Sequence, residues 1–241
     1  AIELFNIIAN DYSGMLSTIE SESAKLNAMI DQTVAKGHKA SSDFYDSLIG
    51  WEKDNLATQQ AKRDALQTNL NESVEKGIIE EGSLAWYELK EQIYAADLSI
   101  IKANTSIVEL GNSIRQLSWD KFDDFQNGIS DLIDEADFLI DLLGENDLFD
   151  ENGEMTDAGQ AIHAMHAQKY NSYMRKSDEY AKEIANIEKE LAEDPTNVDL
   201  IERRKELVKA QRESILAAND DKKALQDLAK DGMDKVLDKL K

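Results

Sequence analysis

Two histidines three residues apart, His163 and His166 in the run His-Ala-Met-His, are the best candidates in this chain for holding a metal ion. On a helix, side chains at i and i+3 share a face, so both imidazoles could enter one coordination sphere. A structural zinc site needs two further ligands, and the chain has no cysteine to offer as thiolate. A di-iron bundle needs Glu-x-x-His, but Gln160 stands three residues before His163, and His163 three before His166. His-Glu-x-x-His is absent as well. These spacings predict surface or seam-edge histidines and no metal ligands.

Asp150-Glu-Asn-Gly-Glu154 has the look of a calcium loop. With Gly153 at the sixth position of an EF-hand, Leu148 falls at the first and Gly159 at the twelfth, where carboxylates are required. The run is read instead as an Asn-Gly turn between helices. Trp51, Trp86 and Trp119 are expected to anchor packing at helix ends, since no basic cluster accompanies them as a nucleic-acid stacking platform would need. No phosphate-binding glycine loop, Gly-x-Ser-x-Gly elbow or nucleophile constellation is present. Pairs of carboxylates carry no information among 49 acidic residues. The expectation is a protein without catalytic residues, cofactor or metal.

The formal charge of −22 is unevenly placed. Residues 1–160 carry 11 Lys/Arg against 32 Asp/Glu, whereas residues 161–241 carry 16 against 17. In 118–160, Lys121 stands alone among 14 carboxylates. Such a surface repels phosphate backbones and anionic lipid, so neither nucleic acid nor membrane is an expected partner. No apolar run is long enough to span a bilayer. The lack of cysteine excludes a disulfide scaffold. The sequence opens on Ala-Ile-Glu and closes on an amphipathic pattern at Leu237 to Leu240, which we read as a segment of a longer helical protein.

The elements that would position any site are helices. One proline, Pro195, 11 glycines, and abundant Ala, Leu, Glu and Lys favour long helices, and no alternating strand pattern is visible. The first helix runs from about Ile2 to Lys36, with Phe5, Ile8, Tyr12, Met15, Ile19, Leu26 and Met29 on one face and Gly37 as its stop. A second follows Ser41 or Ser42 to about Lys76. After Gly82 a third carries ten apolar positions in strict 3-4 alternation: Trp86, Leu89, Ile93, Ala96, Ile100, Ala103, Ile107, Leu110, Ile114 and Leu117. The phase then breaks and resumes as Phe122, Phe125, Ile129, Leu132, Ala136, Leu139 and Leu143. A fourth helix is capped by Thr156 or Asp157 and carries Tyr173, Ser177, Tyr180, Ile184, Ile187 and Leu191. It ends at Asp194-Pro195. The last begins at Asn197 or Asp199 and carries Ile201, Val208, Ile215, Ala218, Leu225, Ala229, Met233, Val236 and Leu240.

This pattern predicts an elongated all-α fold of antiparallel hairpins with coiled-coil packing. Its parts are an N-terminal helix (1–37), an uneven hairpin (42–143) with an acidic distal half, and a C-terminal hairpin (156–241). The distal half of the third helix outruns its predecessor. Its stripe of Phe122, Phe125, Ile129, Leu132, Leu139 and Leu143 must be covered by the first helix, the C-terminal hairpin or another chain. It is therefore the expected interaction face, and a homo-oligomer the expected state.

Three runs carry a resemblance: Glu81-Gly-Ser-Leu-Ala-Trp-Tyr-Glu-Leu-Lys90, Ile107-Val-Glu-Leu-Gly-Asn-Ser-Ile-Arg-Gln-Leu-Ser-Trp-Asp-Lys-Phe-Asp123 and Leu148-Phe-Asp-Glu-Asn-Gly-Glu-Met-Thr-Asp-Ala-Gly159. Together they resemble the helical regions of tail tape measure proteins of siphophages infecting Gram-positive, gut-type bacteria. The likeness covers the chain from about residue 42 onward. It implies a virion structural protein, a long helical multimer in the tail tube whose chain length sets tail length. Its implied partners are tail-tube and tail-assembly proteins. Its implied place is the virion tail, assembled in the host bacterial cytoplasm. The family has no catalytic residues in its helical part, so none is carried over. The alternative expectation is a cellular coiled-coil adaptor or chaperone-like module that holds a basic client on the acidic 118–143 face.

Overall fold

The structure, a computed structural model, describes residues 2–239; Leu240, expected on the last seam, lies outside them. Among the described residues there are five helices and no strand: α1 (Ile2–Ala35), α2 (Ser42–Glu75), α3 (Leu84–Leu143), α4 (Asp157–Glu193) and α5 (Val198–Lys239). The protein is all-helical, and each helix ends within two residues of where capping and breaker residues put it. Gly37 and Gly77 adopt φ of 78° and 66°, the left-handed region that glycine enters without a side-chain clash. There each chain turns out of its helix, with the N–H of His38 donating to the Thr33 carbonyl and that of Ile78 to Ser73. At α4, the Thr156 hydroxyl accepts from the Gly159 N–H, and at α5 Asn197 Oδ1 accepts from Leu200.

The chain divides into two units, residues 1–121 and 122–241, and α3 contributes to both. In the first unit α1 and α2 form the closely approached pair. Phe5 of α1, Leu66 and Leu70 of α2, Leu89 and Ile93 of α3, and Ile79 from the α2–α3 turn make one buried cluster, with Trp86 packed against it. A second cluster joins Ile30, Ala40 and Leu48, with Leu110 at its edge. In the second unit α4 and α5 approach closely. Ile187 and Leu200 are fully buried, and Ile129, Ile133 and Ala136 of α3 are buried.

Of the three covers expected for the distal half of α3, the C-terminal hairpin is the one that residues 122–143 contact. α2 pairs with α1. Beyond residue 121, α3 is tied to α4 and α5 through Asp123, Ser130 and Asp137. There Ile129, Ile133 and Ala136 are buried, and Phe138 and Leu142 are exposed. The units also differ from the expected boundaries, because a long helix passes from one unit to the next without a loop to mark the change.

The seam phases need correction at alternate positions. On α1, Leu16 and Ile30 are buried whereas Met15 and Met29 are exposed. On distal α3, Gln126 and Ile133 are buried whereas Phe125 and Leu132 are 37% and 45% exposed. On α5 the buried line runs through Leu200, Leu207, Ser214, Ala218, Asp221 and Leu228, and Ile215 and Met233 are exposed. The cause is common to α3 and α5. The buried line includes small or polar residues (Gln126 on α3, Ser214, Ala218 and Asp221 on α5), and a larger apolar neighbour on the flank draws a hydropathy-based reading to itself.

Candidate functional site

The second unit contains a charged network buried between three helices. α4 turns His166 and Lys169 to one face, as i and i+3 spacing requires. His166 Nδ1 lies 2.8 Å from Asp221 Oδ1 of α5, and Lys169 Nζ donates to the same oxygen at 3.2 Å. Lys169 also donates to Asp137 Oδ1 of α3 at 2.5 Å. The Asp221 side chain is only 5% exposed and that of Lys169 12%. Burial alone lowers the pKa of Lys169, but bonds to Asp137 and Asp221 and their charges outweigh it and raise the pKa. Tyr173, one turn on, is pushed up by burial. Lys169 opposes that shift, and the carboxylates of Asp137, Asp221 and Asp134 add to it.

Further along the same helices Lys176 Nζ donates to Ser130 Oγ at 2.7 Å. Burial lowers its pKa, with Asp134 only partly opposing. A serine beside a lysine of lowered pKa is the pairing used in Ser–Lys nucleophilic catalysis. Here Ser130 sits mid-helix and its Oγ donates back to the Gln126 carbonyl at 3.1 Å. Backbone N–H groups within a helix are committed to i−4 carbonyls and cannot form an oxyanion hole. The pair acts as a cross-link between α3 and α4. A third tie is made by Arg203 of α5, which donates to Asp123 at 2.5 Å with its guanidinium carbon 5.9 Å from the Phe122 ring centre. Phe122 in turn packs on Tyr180 with centroids 5.6 Å apart.

The Asp150 run forms a closed turn. Asp150 Oδ1 accepts from Asn152 N at 2.7 Å and Glu154 N at 2.9 Å, and Gly153 takes φ 80°. An antiparallel bridge joins Phe149 to Met155. Phe149 lies on Gly232 of α5, where an added β-carbon would stand 2.9 Å from the ring. Lys235 donates to the Phe149 carbonyl at 3.4 Å. Beside this contact is an apolar notch of about 450 Å³ lined by Phe149, Met155, Leu228, Met233, Val236 and Leu237 among others.

The sequence-selected residues fall as follows. Of the 86–117 seam, Leu89 and Ile93 are buried; Trp86, Ile100, Ile107, Leu110, Ile114 and Leu117 are half-buried. Of the expected interaction face, Ile129 is buried, Phe122, Leu139 and Leu143 are half-buried, and only Phe125 and Leu132 among the six are exposed. Phe125 lies under the Arg175 guanidinium at 4.9 Å. His163 is exposed, apart from the His166–Asp221 pair. Among the described residues no three His, Cys, Asp or Glu side chains are grouped to hold a metal, and no helix is long and apolar enough to cross a membrane.

Asp123, Asp137, Lys169, Lys176, Arg203 and Asp221 were not singled out by sequence reasoning. The available signal was the charge asymmetry: an acidic 118–143 beside a C-terminal region holding 16 of the 27 basic residues. No family model, curated protein or solved structure matches this chain.

Proposed function

We propose that the chain is a non-enzymatic structural segment of a phage tail tape measure protein. In this reading it is a multimer-forming helical scaffold with elongated coiled-coil packing that contributes to setting tail length and organising tail assembly. The observation that carries the reading is α3, 60 residues of helix with an inward apolar stripe, shared by two helical units. That build suits a load-carrying or spacing element, and the buried ion pairs serve to fix helix register. The runs at 81–90, 107–123 and 148–159 add the resemblance. Its partners are then tail-tube and tail-assembly proteins, and its place the virion tail. The rival, an adaptor holding a basic client on 118–143, is less favoured. On that face Asp123 and Asp137 engage Arg203 and Lys169 of the same chain, and Asp134 stands within electrostatic reach of Lys176.

The test is mass spectrometry of purified tails from the parent phage, followed by in-frame removal of residues 156–241 and measurement of tail length by electron microscopy. Peptides of this chain in the tails, with shortened or aborted tails after deletion, are expected. Tails lacking the chain, or tails of normal length after deletion, overturn the reading.

A further inference from the structure

α3 carries a second apolar line that the first unit does not cover. Leu84, Tyr87, Tyr94, Leu98, Ile101 and Val108 are 75%, 60%, 61%, 53%, 62% and 61% exposed. With Glu91 and Thr105 in the gaps, they follow the same 3-4 alternation as the buried seam but point away from it. Apolar residues scattered singly over a surface need no explanation, but a heptad line of six over 25 residues is the face a second helix packs on.

We propose that this face is the contact between two copies of the chain, packed antiparallel along α3 with Leu84 of each opposite Val108 of the other. Charge selects both the occupant and the direction. In a parallel pair, Glu91, within the apolar line, would meet Glu91 of the second copy. In the antiparallel register it faces Ile101 instead, Tyr94 faces Leu98, and Tyr87 faces Thr105. The same register sets Glu88 beside Lys102 of the second copy, twice by symmetry, at the flanking positions that govern coiled-coil pairing. The two Asp97 residues come near each other at the centre, and each has its own Arg63, with Nε 3.4 Å from Asp97 Oδ1. Six side chains per copy, each offering on the order of 100 Å² of exposed surface, bring the contact to the roughly 1,200 Å² at the lower edge of specific interfaces. A reversible dimer follows. The proposal does not depend on the tail reading.

The experiment is sedimentation velocity of the full chain across the micromolar range, with circular dichroism as the folding control. Wild type is expected to move from 27.1 kDa toward twice that mass with concentration. Leu98→Asp, at an exposed position, should stay monomeric with an unchanged helical spectrum. Glu88→Lys and Lys102→Glu should each weaken the dimer by about tenfold or more, and the double exchange should restore it, since the two residues face one another only in the antiparallel register. A wild type that stays at 27.1 kDa throughout overturns the proposal and leaves the line to a foreign helix. A dimer unaffected by Leu98→Asp, or not restored by the double exchange, overturns it equally.

Discussion

Gly159, in the first turn of α4, packs against Leu148 so closely that a β-carbon there would collide with the Leu148 carbonyl oxygen. That carbonyl already accepts from the Thr156 N–H at 3.0 Å, so it cannot swing aside without opening the turn. Alanine normally stabilises a helix relative to glycine by about 1 kcal/mol. Gly159→Ala is expected to do the reverse and lower the melting temperature. Gly128→Ala on α3, with open space around it, should raise stability by about 0.5–1 kcal/mol. Thermal melts of the two variants against wild type check the contrast.

Lys169→Met should be strongly destabilising. It leaves the Asp221 carboxylate, 5% exposed, without its ammonium partner, and breaking a buried pair from one side costs about 3 kcal/mol. Asp137→Asn should cost less, because the Asp137 side chain is half exposed. Urea unfolding of the two single variants and the double variant measures the coupling; full additivity would dissolve the network.

The two partly buried lysines, Lys169 and Lys176, should respond to alkali with opposite signs. The folded-state pKa of Lys169 is raised, so its contribution is complete below about pH 10.5 and fades as pH climbs through the higher folded value. That of Lys176 is lowered, so its charged form is penalised at neutral pH and the penalty lifts as pH rises through that folded value towards 10.5. Melting temperatures between pH 8 and pH 11.5 give the check. The advantage of wild type over Lys169→Met should shrink at the top of the range, and wild type should gain on Lys176→Met below it.

Neighbouring residues on distal α3 should differ sharply. Ile133 is 4% exposed and Leu132 45%. Ile133→Ala is expected to cost about 2–4 kcal/mol and Leu132→Ala under about 1 kcal/mol. The reverse order in chemical denaturation would restore the phase read from hydropathy.

These pairs mark the limit of legibility. Helix ends were readable because Gly37, Thr156 and Asn197 act locally on their own backbone. The 3-4 pattern over 86–117 was visible because every position in it is apolar, and Leu89, Ile93, Ala96 and Ala103 of that line are buried. Partner and phase were not. Asp221 is buried by virtue of His166 and Lys169, which face it across the bundle, and a linear pattern holds no record of that. His166 was read as a surface or seam-edge histidine; its partner, Asp221, lies 55 residues away.

The ties of the second unit reach far along the chain: Ser130 to Lys176 over 46 residues, Asp123 to Arg203 over 80 and Phe149 to Lys235 over 86. During synthesis the distal half of α3 is therefore made long before the side chains that will cover it. Its apolar stripe, Phe122 to Leu143, must wait in water until α4 and α5 have been translated. The carboxylates crowded into the same stretch repel other nascent copies through that interval. Lys169, Lys176 and Arg203 arrive afterwards and turn the repelling segment into the clasped one, so the same acidity protects the unfinished chain and orders the finished fold.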